Sequence, residues 1–376
     1  MTCLTTARID TRARSAVGYP CWHRVAADGP RRRALGGRWL STAGTAAHQV
    51  PQRLLRDPLQ AMNTLSGACQ KVPRVCAMPL CLPSMKNRDD ETAAAVAALA
   101  QADVARALAE DVGTGDLTAG LIDPARRARA RILAREDAVI CGAPWAEAAL
   151  RALDPTVQIT WHVQEGQRCT PDQVVLELEG NARALLSAER TALNFLQLLS
   201  AVATKTRTYV DVVAGTRAHI VDTRKTIPGL RLAQKYAVRV GGGTNHRIGL
   251  HDAVLIKENH IAAAGGVTAV LKAAQAVAAQ ASFIEIEVET LEQLAEALDA
   301  GAKMVLLDNM PLPMLREAVR INAAHAGGGA ILEISGGVTL AGLRELAETG
   351  VDRISIGTLT KDVKATDFSM RLQDIQ

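Results

Sequence analysis

The chain has 376 residues, enough for two ordinary domains with cores of their own. Its formal charge of +4 describes neither part of it: residues 1–88 hold 14 Lys/Arg against three acids, and the rest holds 29 against 36. Five of the seven cysteines precede residue 89, which excludes a disulfide framework downstream and suits a reducing cytoplasm, and no apolar run approaches the roughly 20 residues that span a bilayer.

Residues 1–88 are rich in Arg, Ser, Thr, Gly and Pro and contain no Glu; Arg31, Arg32 and Arg33 are the densest charge cluster. They form a basic extension expected to lack order. It is read first as sequence upstream of the true start, with Met62, Met78 or Met85 as initiator, because helical patterning begins just after Met85. A transit-like segment is the second reading. A nucleic-acid arm is the third, weakened because no aromatic residues interleave with the charge. His48 with Cys69, Cys76 and Cys81 matches no structural zinc spacing.

Residues 89–205 look like a small α+β domain. Val96, Leu99, Val104 and Leu108 give a helix over 89–109. Gly113 and Gly115 then break it. Strand-like alternation follows near 129–141, 157–163 and 174–179. Ser187 is expected to cap a helix running to about Tyr209, with Arg190 in its first turn.

From residue 206 to 357 the rhythm changes. Short β-branched runs at 218–222, 253–257, 283–288, 303–308, 330–334 and 352–356 alternate with helical segments at 262–280, 291–300, 312–325 and 339–349. That alternation means a parallel sheet with right-handed crossovers. Six such strands suggest an open or six-stranded α/β barrel, with a doubly wound sheet as the alternative.

The carboxyl ends of these strands carry the chemistry, and in parallel barrels ligands bind there. The ends are Asp222 leading into Thr223, Arg224 and Lys225; Lys257; Glu287; Asp308; Ser335-Gly336-Gly337; and Gly357-Thr358. His246 and Arg247 join them from a Gly-rich stretch. Cations in such number suit an anion pocket. The glycine turns offer bare backbone N–H groups for phosphate, though either alone could be a plain turn. Glu287 and Asp308 are hard oxygen ligands suited to Mg²⁺ beside substrate phosphate, or are hydrogen-bonded carboxylates without a metal.

From about residue 89 onward the sequence resembles the quinolinate phosphoribosyltransferase family. The resemblance runs through Glu110-Asp111 with Gly115-Asp116-Leu117-Thr118, Glu189-Arg190-Thr191-Ala192-Leu193-Asn194, and Asp222 to Thr226 with Pro228-Gly229. It continues through Lys235 to Arg239, Gly241-Gly242-Gly243, Asn245 to Gly249, Ile256-Lys257 with Asn259-His260, Glu285 to Glu289, Leu306 to Asn309, and Ser335-Gly336-Gly337. Residues 1–88 lie outside it.

The resemblance implies an N-terminal α/β sandwich domain, completed by about residues 358–376, and an open six-stranded α/β barrel of the type II phosphoribosyltransferase kind. It implies Mg²⁺-dependent transfer of phosphoribosyl from phosphoribosyl pyrophosphate to quinolinate, with loss of CO₂. It also implies a cytoplasmic homodimer in which Arg190 reaches the partner's site, with hexamers left open, and no role for nucleic acid or membrane. Thr223, Arg224, His246, Arg247 and Lys257 would surround quinolinate, and Lys225 would face the pyrophosphate. Glu287 and Asp308 would serve ribose and metal, while Ser335, Gly336, Gly337, Gly357 and Thr358 hold phosphate. Lys225, Lys257, Glu287 and Asp308 are the expected catalytic set. Lys361 stands where many members have His, which argues against an essential proton transfer at that position. An enzyme acting on nicotinate, a homologue attached to molybdate metabolism, and an inactive binding protein are the alternatives.

Overall fold

The computed structural model describes residues 88–373, so the readings of the basic N-terminal extension fall outside the described residues. The first helix, α1 (Arg88–Asp111), buries Ala100 and Val104 and ends before Gly113 and Gly115, both at positive φ. Asp116 then ties the turn down: its carboxylate accepts from the Thr118 and Ala119 amides at 2.9 Å and from Ser187 Oγ at 2.7 Å. Those bonds hold its carboxyl below the usual range, with the Ala119 amide contributing most.

An antiparallel sheet follows. β1 (Arg127–Ala134) runs into the short β2 (Ala138–Val139), so the single strand expected over 129–141 is two, turned apart at residues 135–137. Then come α2 (Ala143–Leu153), β3 (Gln158–Trp161), β4 (Arg168–Cys169) and β5 (Val174–Asn181). β1 lies between β5 and the chain's last strand, Phe368–Gln373, which puts Ala130 opposite both Leu178 and Leu372. Ala128, Ala130, Ile132 and Ala134 face the helices. Arg129 and Arg131 face outward and pair with Glu179 and Glu177 at 2.9 and 2.6 Å.

The 32-residue helix α3 (Ala182–Val213) corrects the expected cap. Asn181 is the N-cap, its side chain accepting from the Ala184 amide at 3.2 Å, and Ser187 and Arg190 sit inside the helix. Asn181 wins because it ends β5 in extended backbone, where its side chain can fold back on the first turn. Leu185, Leu193 and Leu196 of α3 pack in the sandwich core, while Tyr209 and Val213 pack in the barrel core. The 205/206 boundary therefore falls within a continuous helix.

Six parallel strands follow in the order β6-β11-β10-β9-β8-β7. In chain order the elements are β6 (His219–Val221), α4 (Arg231–Val240), β7 (Val254–Ile256), α5 (Glu258–Ala264), α6 (Val267–Ala274), β8 (Ile284–Val288), α7 (Leu291–Asp299), β9 (Met304–Asp308), α8 (Leu312–Ala324), β10 (Ile331–Ser335), α9 (Leu343–Ala347), β11 (Arg353–Ser355), α10 (Thr358–Lys361) and β12, the last strand named above. This is the cyclic order of a barrel, opened between β6 and β7. Thr244 lies along the free edge of β6, its amide 2.8 Å from the Ile220 oxygen. The helix expected over 262–280 is broken at Gly265 and Gly266, whose φ angles of 86° and 132° stop α5 before α6 begins.

The two faces of the barrel strands differ in chemistry. Ile286, Val288, Val305, Leu307, Leu332, Ile334 and Ile354 point outward into the helices. Glu285, Glu287, Glu333 and Arg353 alternate with them and line the inside, where Glu333 pairs in register with Arg353. The apolar face thus builds the core, and the polar face leads to the barrel mouth.

Candidate functional site

The site begins at the end of β6. Asp222 is fully buried and accepts from Lys235 Nζ, from Asn245 Nδ2 at 2.7 Å and from the His246 amide at 2.8 Å. Lys235 also donates to the His246 carbonyl at 3.0 Å. Burial raises the Asp222 carboxyl pKa and lowers that of the Lys235 ammonium; the attraction between the two opposes both shifts. This buried pair fixes the loop that carries His246 and Arg247.

The next residues present cations. The Arg224 guanidinium lies close enough to act on that of Arg247. Burial, then Arg224, pushes the Arg247 pKa down, yet the group stays charged. Arg247 Nη1 reaches the Ala253 carbonyl at 3.3 Å, and Arg224 Nε is buried with no partner. A buried donor without an acceptor is costly unless a ligand supplies one. Arg231, at the start of α4, braces this loop through Thr226 Oγ1 at 3.1 Å and the Arg224 carbonyl at 3.3 Å.

On neighbouring strands, Lys257 Nζ meets Glu287 Oε2 at 2.6 Å. Glu287 pairs in register with Leu306, one inward step below Asp308, and Asp308 pairs with Ser335. Asn309 follows at a φ of 54°, with its side chain 2.7 Å from Asp308 Oδ2 and its amide 3.0 Å from the Ser335 carbonyl. Gly336 packs against Asn309, and Gly336 and Gly337 both have positive φ, so a turn bare of side chains follows Ser335 beside Asp308. Glu287 and Asp308 supply carboxylate oxygens on adjacent strands, a donor set that fits a hard cation sharing its remaining positions with water and phosphate.

The turn after β11 closes the circle. A Cβ on Gly357 would lie 2.9 Å from Lys225 Cδ and 3.4 Å from Thr223 Oγ1, so this turn abuts the loop after β6. Thr360 Oγ1 donates to the Lys225 carbonyl at 2.7 Å. Gln234 of α4 receives the Ile227 amide at 2.8 Å and donates to the Thr360 carbonyl at 2.8 Å, which ties both loops to one buried side chain. Thr358 Oγ1 is buried and unpartnered.

Below the mouth, His246 Nε2 lies 2.8 Å from Glu285 Oε2 and 3.7 Å from Glu333 Oε1. Arg353 Nε donates to Glu333 Oε2 at 2.7 Å. Burial pushes both carboxyls up to about 7, and burial lowers the His246 pKa.

The strand order, with the contacts above, therefore brings Thr223, Arg224, Lys225, Arg247, Lys257, Glu287, Asp308, Ser335, Gly336, Gly337, Gly357 and Thr358 to the carboxyl end of one six-stranded sheet, while His246 is buried a layer below them. Arg190 stands apart, exposed on α3, with Glu189 as its charge neighbour. Sequence reasoning named Asp222 only as a strand end and gave no role to Gln234, Lys235, Glu285, Glu333 and Arg353. Glu285 carried a signal: in a strand it shares a face with Glu287. Gln234 carried none, because its partners lie in other loops, and Lys235 carried only its place in a family motif.

The sequence matches the family described as quinolinate phosphoribosyl transferase, in its N-terminal domain over residues 116–200 and its C-terminal domain over residues 202–371. It is 44% identical over 261 residues to a probable nicotinate-nucleotide pyrophosphorylase (carboxylating) of Bacillus subtilis, covering 69% of this chain and 89% of that protein. It is 40% identical over 286 residues to a mitochondrial quinolinate phosphoribosyltransferase (decarboxylating) of Nicotiana tabacum, covering 71% of this chain and 80% of that one. The solved structure of the nicotinate-nucleotide pyrophosphorylase from Francisella tularensis superposes with a TM-score of 0.70 at 43% identity, over 74% of this chain and 97% of that one.

Proposed function

The chain belongs to the quinolinate phosphoribosyltransferase family, and from that premise we propose that it converts quinolinate and phosphoribosyl pyrophosphate to nicotinate mononucleotide, pyrophosphate and CO₂, a step of NAD synthesis. The observation that carries this reading is the pairing of Arg224 and Arg247 at the barrel mouth, with a buried Arg224 donor unpartnered. A pyridine diacid supplies the carboxylates that such a pair binds, each charge-assisted bond contributing roughly 1.5–3 kcal/mol.

Displacement of pyrophosphate from the anomeric carbon develops positive charge on the ribose and negative charge on the leaving group. Lys225, the Gly336 and Gly337 amides and Thr358 Oγ1 are assigned to the phosphates. Lys257, with Arg224 and Arg247, orients the pyridine so that its nitrogen faces the anomeric carbon. Glu287 and Asp308 would hold Mg²⁺, which when bound supplies positive charge beside the pyrophosphate oxygens. Bonding to ribose makes the ring nitrogen positive. The ring C–CO₂ bond then breaks, its electron pair stays on the ring carbon, and that carbon takes a proton from water. Decarboxylation therefore follows transfer.

The assignment of Arg190 to a partner's site within a homodimer, and a cytoplasmic location, belong to this same proposal. They draw on the exposure of Arg190 and, among the described residues, on the lack of any single helix long and apolar enough to cross a membrane. The test is an assay of the purified chain with phosphoribosyl pyrophosphate and Mg²⁺, comparing quinolinate with nicotinate. Formation of nicotinate mononucleotide with CO₂ from quinolinate supports the reading. Turnover of nicotinate alone, or CO₂ release at full rate without phosphoribosyl pyrophosphate, overturns it.

A further inference from the structure

His246, Glu285 and Glu333 are all buried, and they bring three potential ligand atoms within 4.8 Å of one another inside the barrel. The hydrogen bonds decide what this cluster is. The Arg247 amide donates to His246 Nδ1 at 2.7 Å. An N–H cannot donate to a protonated ring nitrogen, so Nδ1 carries the lone pair and a neutral imidazole has its proton on Nε2. That proton points at Glu285 Oε2, 2.8 Å away. A metal would need Nε2 bare, and Arg353 already holds the second oxygen of Glu333 at 2.7 Å. The cluster is a hydrogen-bonded relay of positions, not a ligand cage.

We propose that Glu285 is a positioning residue for the pyridine-carboxylate pocket: it holds His246 with its proton on Nε2, and through Nδ1 that ring sets the Arg247 backbone so that its guanidinium stands beside Arg224. Glu285 is fully buried, so its part is played through His246. It sits two residues before Glu287 on the same inward face of β8, beneath the mouth. Phe283 closes the side of the His246 ring edge-on, with centroids 5.3 Å apart, so the ring has little room to turn. Without the Glu285 acceptor the Nε2–H is a buried donor with no partner. The tautomer with its proton on Nδ1 then competes, and that proton opposes the Arg247 amide, which loses its acceptor. The charged groups around this contact are Glu333 on β10, Arg353 on β11, Lys257 beyond β7, Glu287 on β8, and Arg247 with the Asp222–Lys235 pair on the loop side.

The proposal rests on quinolinate being the pyridine substrate, and its test separates the two claims. Glu285→Gln keeps an acceptor of the same shape; Glu285→Leu removes it at similar volume. The tautomer of His246 is read in substrate-free protein by nitrogen NMR of ¹⁵N-histidine-labelled chain, assigned with His246→Gln. Steady-state kinetics give KM for each substrate and kcat, and circular dichroism checks the fold. The Nε2–H signature and a KM for quinolinate within about threefold of wild type are expected in Glu285→Gln, which still accepts a hydrogen bond. In Glu285→Leu the signature is lost and KM for quinolinate rises about tenfold or more, with KM for phosphoribosyl pyrophosphate unchanged. Should Glu285→Leu not fold, the glutamine variant decides, since loss of the signature there defeats the proposal. An unchanged tautomer and unchanged KM in Glu285→Leu also overturn it. If wild type fails to turn over quinolinate, the function assigned above falls, and the NMR result alone still decides the role of Glu285.

Discussion

Lys257 Nζ stands 2.6 Å from Glu287 Oε2 across the β7–β8 pair, so a cation assigned to the pyridine diacid is held by a carboxylate assigned to ribose and metal. The two side chains differ in exposure, 44% for Lys257 and 11% for Glu287, which lets the ammonium swing between carboxylate and ligand while the glutamate stays fixed. Lys257→Met removes the cation and strands Glu287. We expect kcat/KM to fall about 100-fold, and Lys257→Arg to recover only part of the loss because the fork-shaped guanidinium cannot reproduce a point charge. Steady-state formation of nicotinate mononucleotide measures both; equal efficiency in Lys257→Met removes it from the site.

Arg247→Ala tests the diacid pocket directly. Losing one charge-assisted contact corresponds to a rise in KM for quinolinate of about 10- to 100-fold. The fold should hold, because the contact the Arg247 side chain makes to protein, at 3.3 Å to the Ala253 carbonyl, is long. Isothermal titration with quinolinate gives an independent value, and an unchanged affinity excludes Arg247 from binding.

Gly336 and Gly337 separate two kinds of strain. A Cβ at Gly336 would run into the Asn309 side chain and sit 3.0 Å from its backbone nitrogen, at a φ of 103°. At Gly337 there is open space, and only a φ of 55° opposes a side chain. Gly337→Ala should therefore cost about 1 kcal/mol of stability and little activity. Gly336→Ala must displace Asn309 beside Asp308, and KM for phosphoribosyl pyrophosphate should rise well above that of Gly337→Ala. Identical kinetics in the two variants would mean that the turn does not hold phosphate.

The strands were legible because β-branched runs stand between glycine and acidic punctuation, and the mouth was legible because its charges sit at strand ends. What escaped was non-local. The Asn181 cap needed knowledge of where β5 stops. The Asp222–Lys235 pair joins residues 13 apart through a loop, and in sequence its members were only a strand-end acid and a lysine of a family motif with no role attached. Glu333 lay unremarked within the run 330–334. Its neighbours Leu332 and Ile334 face the helices, which turns Glu333 into the barrel, a direction that alternation alone cannot choose.

Acidity should reveal the buried carboxyls. Burial, and then the nearby Glu285, push the Glu333 pKa to about 7, against the opposing pull of His246 and Arg353. A raised carboxyl pKa means that the folded chain binds the proton more tightly than the unfolded one. The resulting stability is complete below the ordinary value of 4.5 and is lost as pH rises to about 7. His246, with a lowered pKa, acts in the opposite sense below its ordinary 6.5, so the variant must be compared with wild type at each pH. Urea unfolding from about pH 5 to about pH 8 should show a decline in wild type that is smaller in Glu333→Gln, where Glu285, also raised to about 7, still titrates. The same decline in both chains would show that Glu333 does not titrate in this window.

Lys235→Met leaves Asp222 buried without its ammonium, with Asn245 and the His246 amide as remaining donors. Breaking such a pair on one side costs about 3 kcal/mol or more. Thermal unfolding should register this as a clear drop in Tm. A loss below about 1 kcal/mol would mean that Asp222 takes up a proton at little cost.

The helix Ala182–Val213 contributes side chains to both hydrophobic cores without interruption. At about 1.5 Å per residue it is a girder of roughly 48 Å. Severing the chain at residue 205 leaves a protruding stump on one fragment and an uncovered groove on the other, so neither piece would be expected to survive as an independent protein. Shuffling with a relative should succeed only when the join avoids this rod, and any opening of the mouth has to come from its loops, because the rod offers no hinge.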